Sequence, residues 1–402
     1  MTTEIDAGLA AKVAQHIDED RLVRLVQEVC RIPSILGEEG PLATYLAGVM
    51  NDSGFAGVEL QPVIGDRPNA IGHLDFGTGD GPNVVLTGHM DTKPVSHGWE
   101  VSQPFSGDLI DGSIYGHGIM DMKAALVCQI IAMEALRASG LELDGRVSFA
   151  AVSDHMGDQT GAITYFKEHP GDLCVLGELS DNEIFLGHRG RYYYDIIVRG
   201  ISAHTCHKPL AVNANMLAAH AIIELDQSKL EPQLEEWVTE LFGPETYMSP
   251  GRVYGGLPPG GPSMIPDECV IRVDCRPQPG VTLEEVRAEI DRCLAKAKER
   301  EPRFEAEVVL ADVKSGYLAE PEAKVTMLMR EAVESVRGEK AELQVAGWLG
   351  DTASFGGDIP TIIFGPGGEP VYCPDEHLSI DDIVEATKVY ATFAALALTA
   401  ES

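Results

Sequence analysis

None of the eight cysteines forms a Cys-x-x-C pair, and their spacings are irregular. In a chain of 402 residues this predicts reduced, buried thiols of a cytosolic protein. Basic residues are scarce: 30 Lys and Arg stand against 63 Asp and Glu, a net charge of −33. That excess excludes nucleic acid and anionic membrane as partners, because both would be repelled. The acidic residues are spread over many short stretches, which fits a solvated surface. No apolar run reaches the roughly 20 residues of a membrane span. The opening Met1-Thr2-Thr3-Glu4-Ile5-Asp6 lacks the basic and apolar regions of a signal peptide, so a cytoplasmic location is expected. Repeats and low-complexity segments are absent; the one dense Gly/Pro stretch, 255–262, reads as a loop.

What is present is enough for two domains, each with its own core, at 44% hydrophobic residues. The pattern predicts helices over 5–31 and 41–53, strands over 58–62, 70–74 and 83–87, a helix over 124–136, a strand over 146–152, a helix over 163–168 and a strand over 172–176. Strands alternating with helices imply an α/β sheet with helices on both faces. From about residue 186 the character changes. Strands over 192–199, 252–256, 269–276 and 304–310, with helices over 213–225 and 283–299, give the β-α-β-β-α-β order of a ferredoxin-like unit. The chain then returns to the first domain with a helix over 322–337, a strand over 360–364 and a final helix over 380–400.

The most informative stretch is 86–125. His89 and Asp91 follow a buried strand at i, i+2, a spacing that puts both side chains on one face. After Trp99 and Pro104-Phe105 comes Tyr115-Gly116-His117-Gly118-Ile119-Met120-Asp121-Met122-Lys123, which runs into an apolar helix. An imidazole and a carboxylate at the ends of two elements, with a second carboxylate beside the imidazole, suit a metal ligand pair and its orienting partner. His89-x-Asp91 alone equally fits a strand end and a turn with incidental polar residues.

Taken together, His-x-Asp-Thr-x-Pro, Trp, Pro-Phe and Tyr-Gly-x-Gly-x-x-Asp-Met-Lys in this order resemble the co-catalytic zinc peptidase and amidohydrolase family. That family includes glutamate carboxypeptidase, acetylornithine deacetylase, succinyl-diaminopimelate desuccinylase and aminoacylase. The resemblance implies an α/β protein of two domains: an aminopeptidase-like catalytic domain with a mixed sheet flanked by helices (1–186 and 313–402), and an inserted α+β ferredoxin-like lid and dimerisation domain (187–312). It also implies that His89, Asp121 and Glu178 hold a first metal, and that Asp91 hydrogen-bonds the histidine ligand and fixes its tautomer.

The chain departs from the family pattern at the second metal. Where the family has Asp-Glu-Glu, this chain has Asp154-His155-Met156. His155 replaces the general base and Met156 replaces a ligand. The family's last-loop histidine ligand is Tyr372. A thioether is a soft, weak ligand and a neutral phenol a poor one, so the second site is expected to be lost. A shifted register that recruits His377 or Asp158 is the alternative. In the lid, His204 resembles the histidine that enters the neighbouring subunit's site and polarises the substrate carbonyl. Arg276 matches an arginine placed for a substrate carboxylate, and a surface salt bridge explains it as well. Ser263 stands for an asparagine and His117 for an arginine, departures that weaken peptide recognition. Arg189 lies near the lid hinge, where it could touch a flat substrate.

These residues lead to the expectation of one divalent ion per subunit, manganese favoured and zinc or iron(II) possible. His155 would move the proton. Met156 and Tyr372 would line an apolar space suited to a flat ring. The leading expectation is a homodimeric enzyme that hydrolytically deaminates an electron-poor aromatic amine such as 5-nitroanthranilate, with ammonia released and an aromatic carboxylate bound by Arg276 or Arg189. An amidohydrolase, deacylase or peptidase acting on N-acyl amino acids or dipeptides is the second expectation. An inactive binding homologue is the third.

Overall fold

The computed structural model of the protein describes residues 7–256, 263–357 and 359–399. The predicted loop over 255–262 therefore falls largely outside the described residues. Two compact units emerge. One comprises residues up to 187, 319–344 and those from 350 onward; the other comprises 188–318 and 345–349.

The strand Asn83–His89 is buried at every residue but its first. Its Val84-Val85-Leu86 run is apolar on both faces because both faces of the sheet are covered. It pairs in parallel with Gly145–Val152 on one side and Leu173–Leu176 on the other. Beyond Gly145–Val152 the sheet continues antiparallel through Arg67–Phe76 to Ala56–Ile64. Beyond Leu173–Leu176 it continues through Thr361–Ile363, parallel, to Ile184–His188, antiparallel. The sheet is mixed, as expected. The helix Ala124–Ala138 is buried at nearly every position and packs against the final helix Ile380–Leu398. An element apolar all round is a core helix.

The predicted helix over 5–31 is two helices, Ala7–Ala14 and Glu19–Cys30. Asp18 breaks it by N-capping the second: its carboxylate accepts the Arg21 N–H at 2.9 Å.

In the second unit, the strands lie in the order Tyr247–Gly255, Glu268–Arg276, Arg191–Arg199, Glu305–Lys314, all antiparallel. The helices Ala214–Asp226 and Leu283–Arg300 complete the ferredoxin-like order. Tyr247–Gly255 begins five residues before the expected 252 and contains Pro250. It is an edge strand, where a proline costs no ladder bond, and its register shifts between Pro250 and Arg252. The cysteines are free, but two are not buried: Cys206 is exposed in the short 3-10 helix Thr205–Leu210, and Cys373 is half-buried in a loop.

Candidate metal centre

His89 ends its strand, fully buried. Gly88 before it packs closely on Met122: a Cβ there would lie 2.0 Å from Met122 Cε, which would have to shift. The His89 Nδ1 donates to the backbone carbonyl of Asp91 at 2.9 Å. A carbonyl only accepts, so Nδ1 carries the proton and Nε2 is the outward face. Nε2 lies 2.9 Å from Asp121 Oδ1 and 3.6 Å from Glu178 Oε1. Asp121 is brought there by the turn before Ala124–Ala138, and Glu178 by the end of Leu173–Leu176.

The role expected of the Asp91 carboxylate is taken by its own backbone carbonyl. The carboxylate turns the other way and accepts the backbone N–H groups of His155 at 3.0 Å and Met156 at 2.8 Å. It thereby ties the His89 strand to the turn that follows Gly145–Val152. The same turn is held from outside by Arg67, which bonds both oxygens of buried Glu39 at 2.8 and 2.7 Å and Asp154 Oδ1 at 2.8 Å. Asp154 adopts a left-handed φ of 70°. So constrained, the His155 ring stacks on the His89 ring, with centroids 4.1 Å apart and planes 11° from parallel. Its Nδ1 meets Asp351 Oδ1 at 2.8 Å and its Nε2 faces Glu178 Oε1 at 3.8 Å.

Tyr372 also has a left-handed φ, 57°. Its hydroxyl donates to Asp121 Oδ2, and its oxygen lies 4.0 Å from Met156 Sδ. Tyr372 and Met156, expected from the sequence to stand in place of second-metal ligands, thus lie together on the Oδ2 side of Asp121.

The donor set fits a divalent cation. Glu178 Oε1 is buried and has no hydrogen-bond partner, although it faces two imidazole nitrogens. An unsatisfied buried carboxylate oxygen is costly unless a cation completes it. The ligand atoms of His89, His155 and Glu178 lie within 4.8 Å of one another. The ring planes nevertheless separate the two histidines. An imidazole nitrogen binds a metal at roughly 2.0–2.1 Å along a lone pair in its own ring plane. With the rings stacked, an ion in the plane of one lies well outside the plane of the other.

The electrostatics follow the same crowding. Burial pulls the His89 pKa down, but Glu178 and Asp121 raise it well above the ordinary value. Burial pushes the Asp121 carboxyl up, yet His89 and the Tyr372 hydroxyl bring it down to about 2. Glu178 is raised, first by burial and then by Asp121.

The alternative ligands lie elsewhere. His377 is exposed, its Nδ1 bound to the Asp375 carbonyl at 2.8 Å and its ring stacked on Tyr115, and Asp158 is exposed. His204, Ser263, Arg189 and Arg276 belong to the second unit. Arg189 is a strut rather than a substrate contact. It is 3% exposed, donates to the carbonyls of Phe242, Glu245 and Arg276, and lies over the Tyr247 ring. Arg276 is engaged by both oxygens of Asp274, at 2.8 and 2.9 Å, which favours the salt-bridge reading. Ser263 is exposed, its carbonyl accepting the Thr205 N–H at 2.8 Å. His204 is exposed, and its Nδ1 lies 3.0 Å from Cys206 Sγ.

Asp351 escaped the sequence reading. It sits 196 residues from His155, in a short Gly-Asp-Thr turn without any spacing signal.

The model of Peptidase family M20/M25/M40 matches residues 85–396. A succinyl-diaminopimelate desuccinylase of Methylobacterium radiotolerans is 27% identical over 394 residues, covering 94% of this chain and 97% of that protein. An acetylornithine deacetylase of Salmonella arizonae is 28% identical over 368 residues, covering 89% and 92%. The crystal structure of aminopeptidase PepT from Bacillus cereus superposes with a TM-score of 0.77 at 20% identity, covering 95% of this chain and 99% of that one, a likeness of fold. The chain belongs to peptidase family M20/M25/M40 and is a metal-dependent hydrolase of C–N bonds.

Proposed function

We propose that the protein hydrolyses the amide C–N bond of an N-acyl amino acid or dipeptide with one divalent ion per subunit. His89, Asp121 and Glu178 would hold that ion. The observation that carries the one-metal reading is the Tyr372 hydroxyl on Asp121 Oδ2, with Met156 beside it. Both occupy the side from which a second ion would bind. One imidazole and two carboxylates make a hard donor set, which favours manganese, with zinc and iron(II) as alternatives.

A bound divalent ion supplies Lewis acidity, lowering the pKa of a water and polarising a carbonyl oxygen. The chain's own contribution is proton movement. His155 Nε2, with its other nitrogen engaged by Asp351, accepts a proton from the attacking water and passes it to the leaving nitrogen. Its pKa is pulled down by burial but raised overall by Asp351, which favours uptake of that proton.

The relatives named a desuccinylase and a deacetylase put the amide first. The aromatic amine, first in the sequence reading, becomes the second reading. It keeps the support of the Tyr372 ring, 5.9 Å from His117, and of Met156 beside it.

The second unit would serve as a lid and dimerisation domain of a homodimer. Its edge strand Tyr247–Gly255 is largely exposed, and Met216 and Ile223 are exposed on the helix Ala214–Asp226. Among the described residues no helix is long and apolar enough to cross a membrane; a cytoplasmic small-molecule hydrolase is our reading.

The test is a substrate panel on manganese-loaded enzyme: N-succinyl and N-acetyl amino acids, dipeptides and nitro-substituted aminobenzoates. Release of an amine from the amides, lost in Asp121→Ala, supports the first reading. Ammonia release from the aminobenzoates alone would replace it with the second.

A further inference from the structure

Asp351 is a buried carboxylate at 1% exposure, and its surroundings do little to stabilise it. Its Oδ2 is buried without a hydrogen-bond partner, and its side chain makes no cap to the helix Thr352–Phe355 that it precedes. Taking such a group out of water costs free energy that a single hydrogen bond does not return. A residue kept only for packing would be better replaced by an apolar one. Among the described residues, the one bond its side chain makes is Oδ1 to His155 Nδ1, at 2.8 Å.

The consequence lies at the other end of the ring. A carboxylate oxygen accepts, so His155 Nδ1 must carry the proton and Nε2 presents its lone pair. That lone pair is on the side of Glu178 Oε1, 3.8 Å away. Three constraints fix the ring there. Asp91 holds the backbone of residues 155 and 156, the His89 ring covers one face, and Asp351 sets the rotation about the side chain. Only the last also selects the tautomer.

We propose that Asp351 is the positioning residue of His155, holding it as the Nδ1–H tautomer with Nε2 open to the reaction space. This rests on the reading of His155 as proton carrier. It adds that the carrier works only as one member of a pair joined across 196 residues of sequence. His155 replaces a family glutamate, which has no tautomer to fix. The substitution therefore brings a need for Asp351 that the glutamate did not have.

The experiment compares Asp351→Ala with His155→Gln in the zinc-loaded protein, which is diamagnetic. The ¹⁵N shifts of the His155 ring, assigned by their absence in His155→Gln, need no substrate. Wild type should show one tautomer protonated at Nδ1, and Asp351→Ala a mixture. Bound metal per chain should be unchanged in Asp351→Ala, while kcat on the substrate turned over falls about 100-fold with KM within about threefold. Formate, small enough for the space left by the carboxylate, should recover part of the rate in Asp351→Ala and none in His155→Gln.

An unchanged tautomer and kcat in folded Asp351→Ala, with His155→Gln inactive, overturns the inference and leaves the proton carrier standing. Wild-type kcat in His155→Gln overturns both. Should Asp351→Ala not fold, Asp351→Leu, near in size and unable to accept a hydrogen bond, carries the same readouts.

Discussion

The Tyr372 hydroxyl donates to Oδ2 of Asp121 while Oδ1 of the same carboxylate faces His89 Nε2. One carboxylate is therefore shared between a ligand-type contact and a phenol. In a two-metal site both oxygens would be needed for ions. The expected outcome is one ion per chain by elemental analysis of the purified enzyme, and a second in the double variant Met156→Glu/Tyr372→His. Two ions in the wild type would mean that Tyr372 swings away when metal binds.

Asp91 acts through the turn it holds. Substituting Asp91→Ala removes the acceptor of two backbone N–H groups, those of His155 and Met156, in a fully buried place. Leaving them unpaired should cost about 1–3 kcal/mol each at most, a loss visible in denaturant unfolding. Because the His89 Nδ1 bond goes to the backbone carbonyl of residue 91, which the variant keeps, metal affinity should fall less than tenfold. A large loss of metal affinity would restore the carboxylate as the partner of His89.

Much of this site was legible in the sequence, and the reason is covalent spacing. His89 and Asp91 share a strand end and Asp121 stands at a helix start, so short motifs located them, whereas Glu178, after an apolar strand, was placed only by the resemblance to the family. Tyr372 and Met156 were legible as departures from a known pattern. Residues whose function lies in a long-range partner were not. Asp351 has no local signature, and the Glu39–Arg67–Asp154 bridge joins three segments without a motif. Arg189 was misread for the complementary reason. Its charge suggested a ligand, whereas three backbone carbonyls accept from its two terminal nitrogens. Even the motif lysine, Lys123, is structural: fully buried, it donates to the Ile32 carbonyl at 2.8 Å, and burial lowers its pKa to about 8.

Glu376 gives a prediction on pH. It is 1% exposed, and burial raises its pKa to about 7 despite the backbone N–H groups of Gly118 and Met120 that bond it. A folded-state pKa above the ordinary 4.5 means that the folded protein holds this proton more tightly. The stability it contributes is complete below pH 4.5 and is lost as pH rises through about 7. Glu376→Gln cannot ionise and escapes that loss. The stability difference, wild type minus variant, should fall by about 3 kcal/mol across this window. Urea unfolding of both proteins at several pH values measures it, and a difference flat with pH would show that Glu376 stays charged in the fold.

His204 supplies the last prediction. Its ring is exposed on the strand Ala203–His204 of the second unit, with Nδ1 occupied by the Cys206 backbone N–H at 3.2 Å. Nε2 is then the nitrogen left to reach a neighbour. In the proposed homodimer it would complete the partner's site, so each active site would need residues from two chains. Asp121→Ala and His204→Ala homodimers should each be nearly inactive. Unfolded together in equal amounts and refolded, half of the dimers would be hybrids. In each hybrid one site loses both residues and the other keeps both, so activity should recover to about a quarter of wild type. A histidine acting within its own chain would leave the mixture as inactive as its components. A merely structural His204 would leave its homodimer active from the start, and either result would remove the shared site.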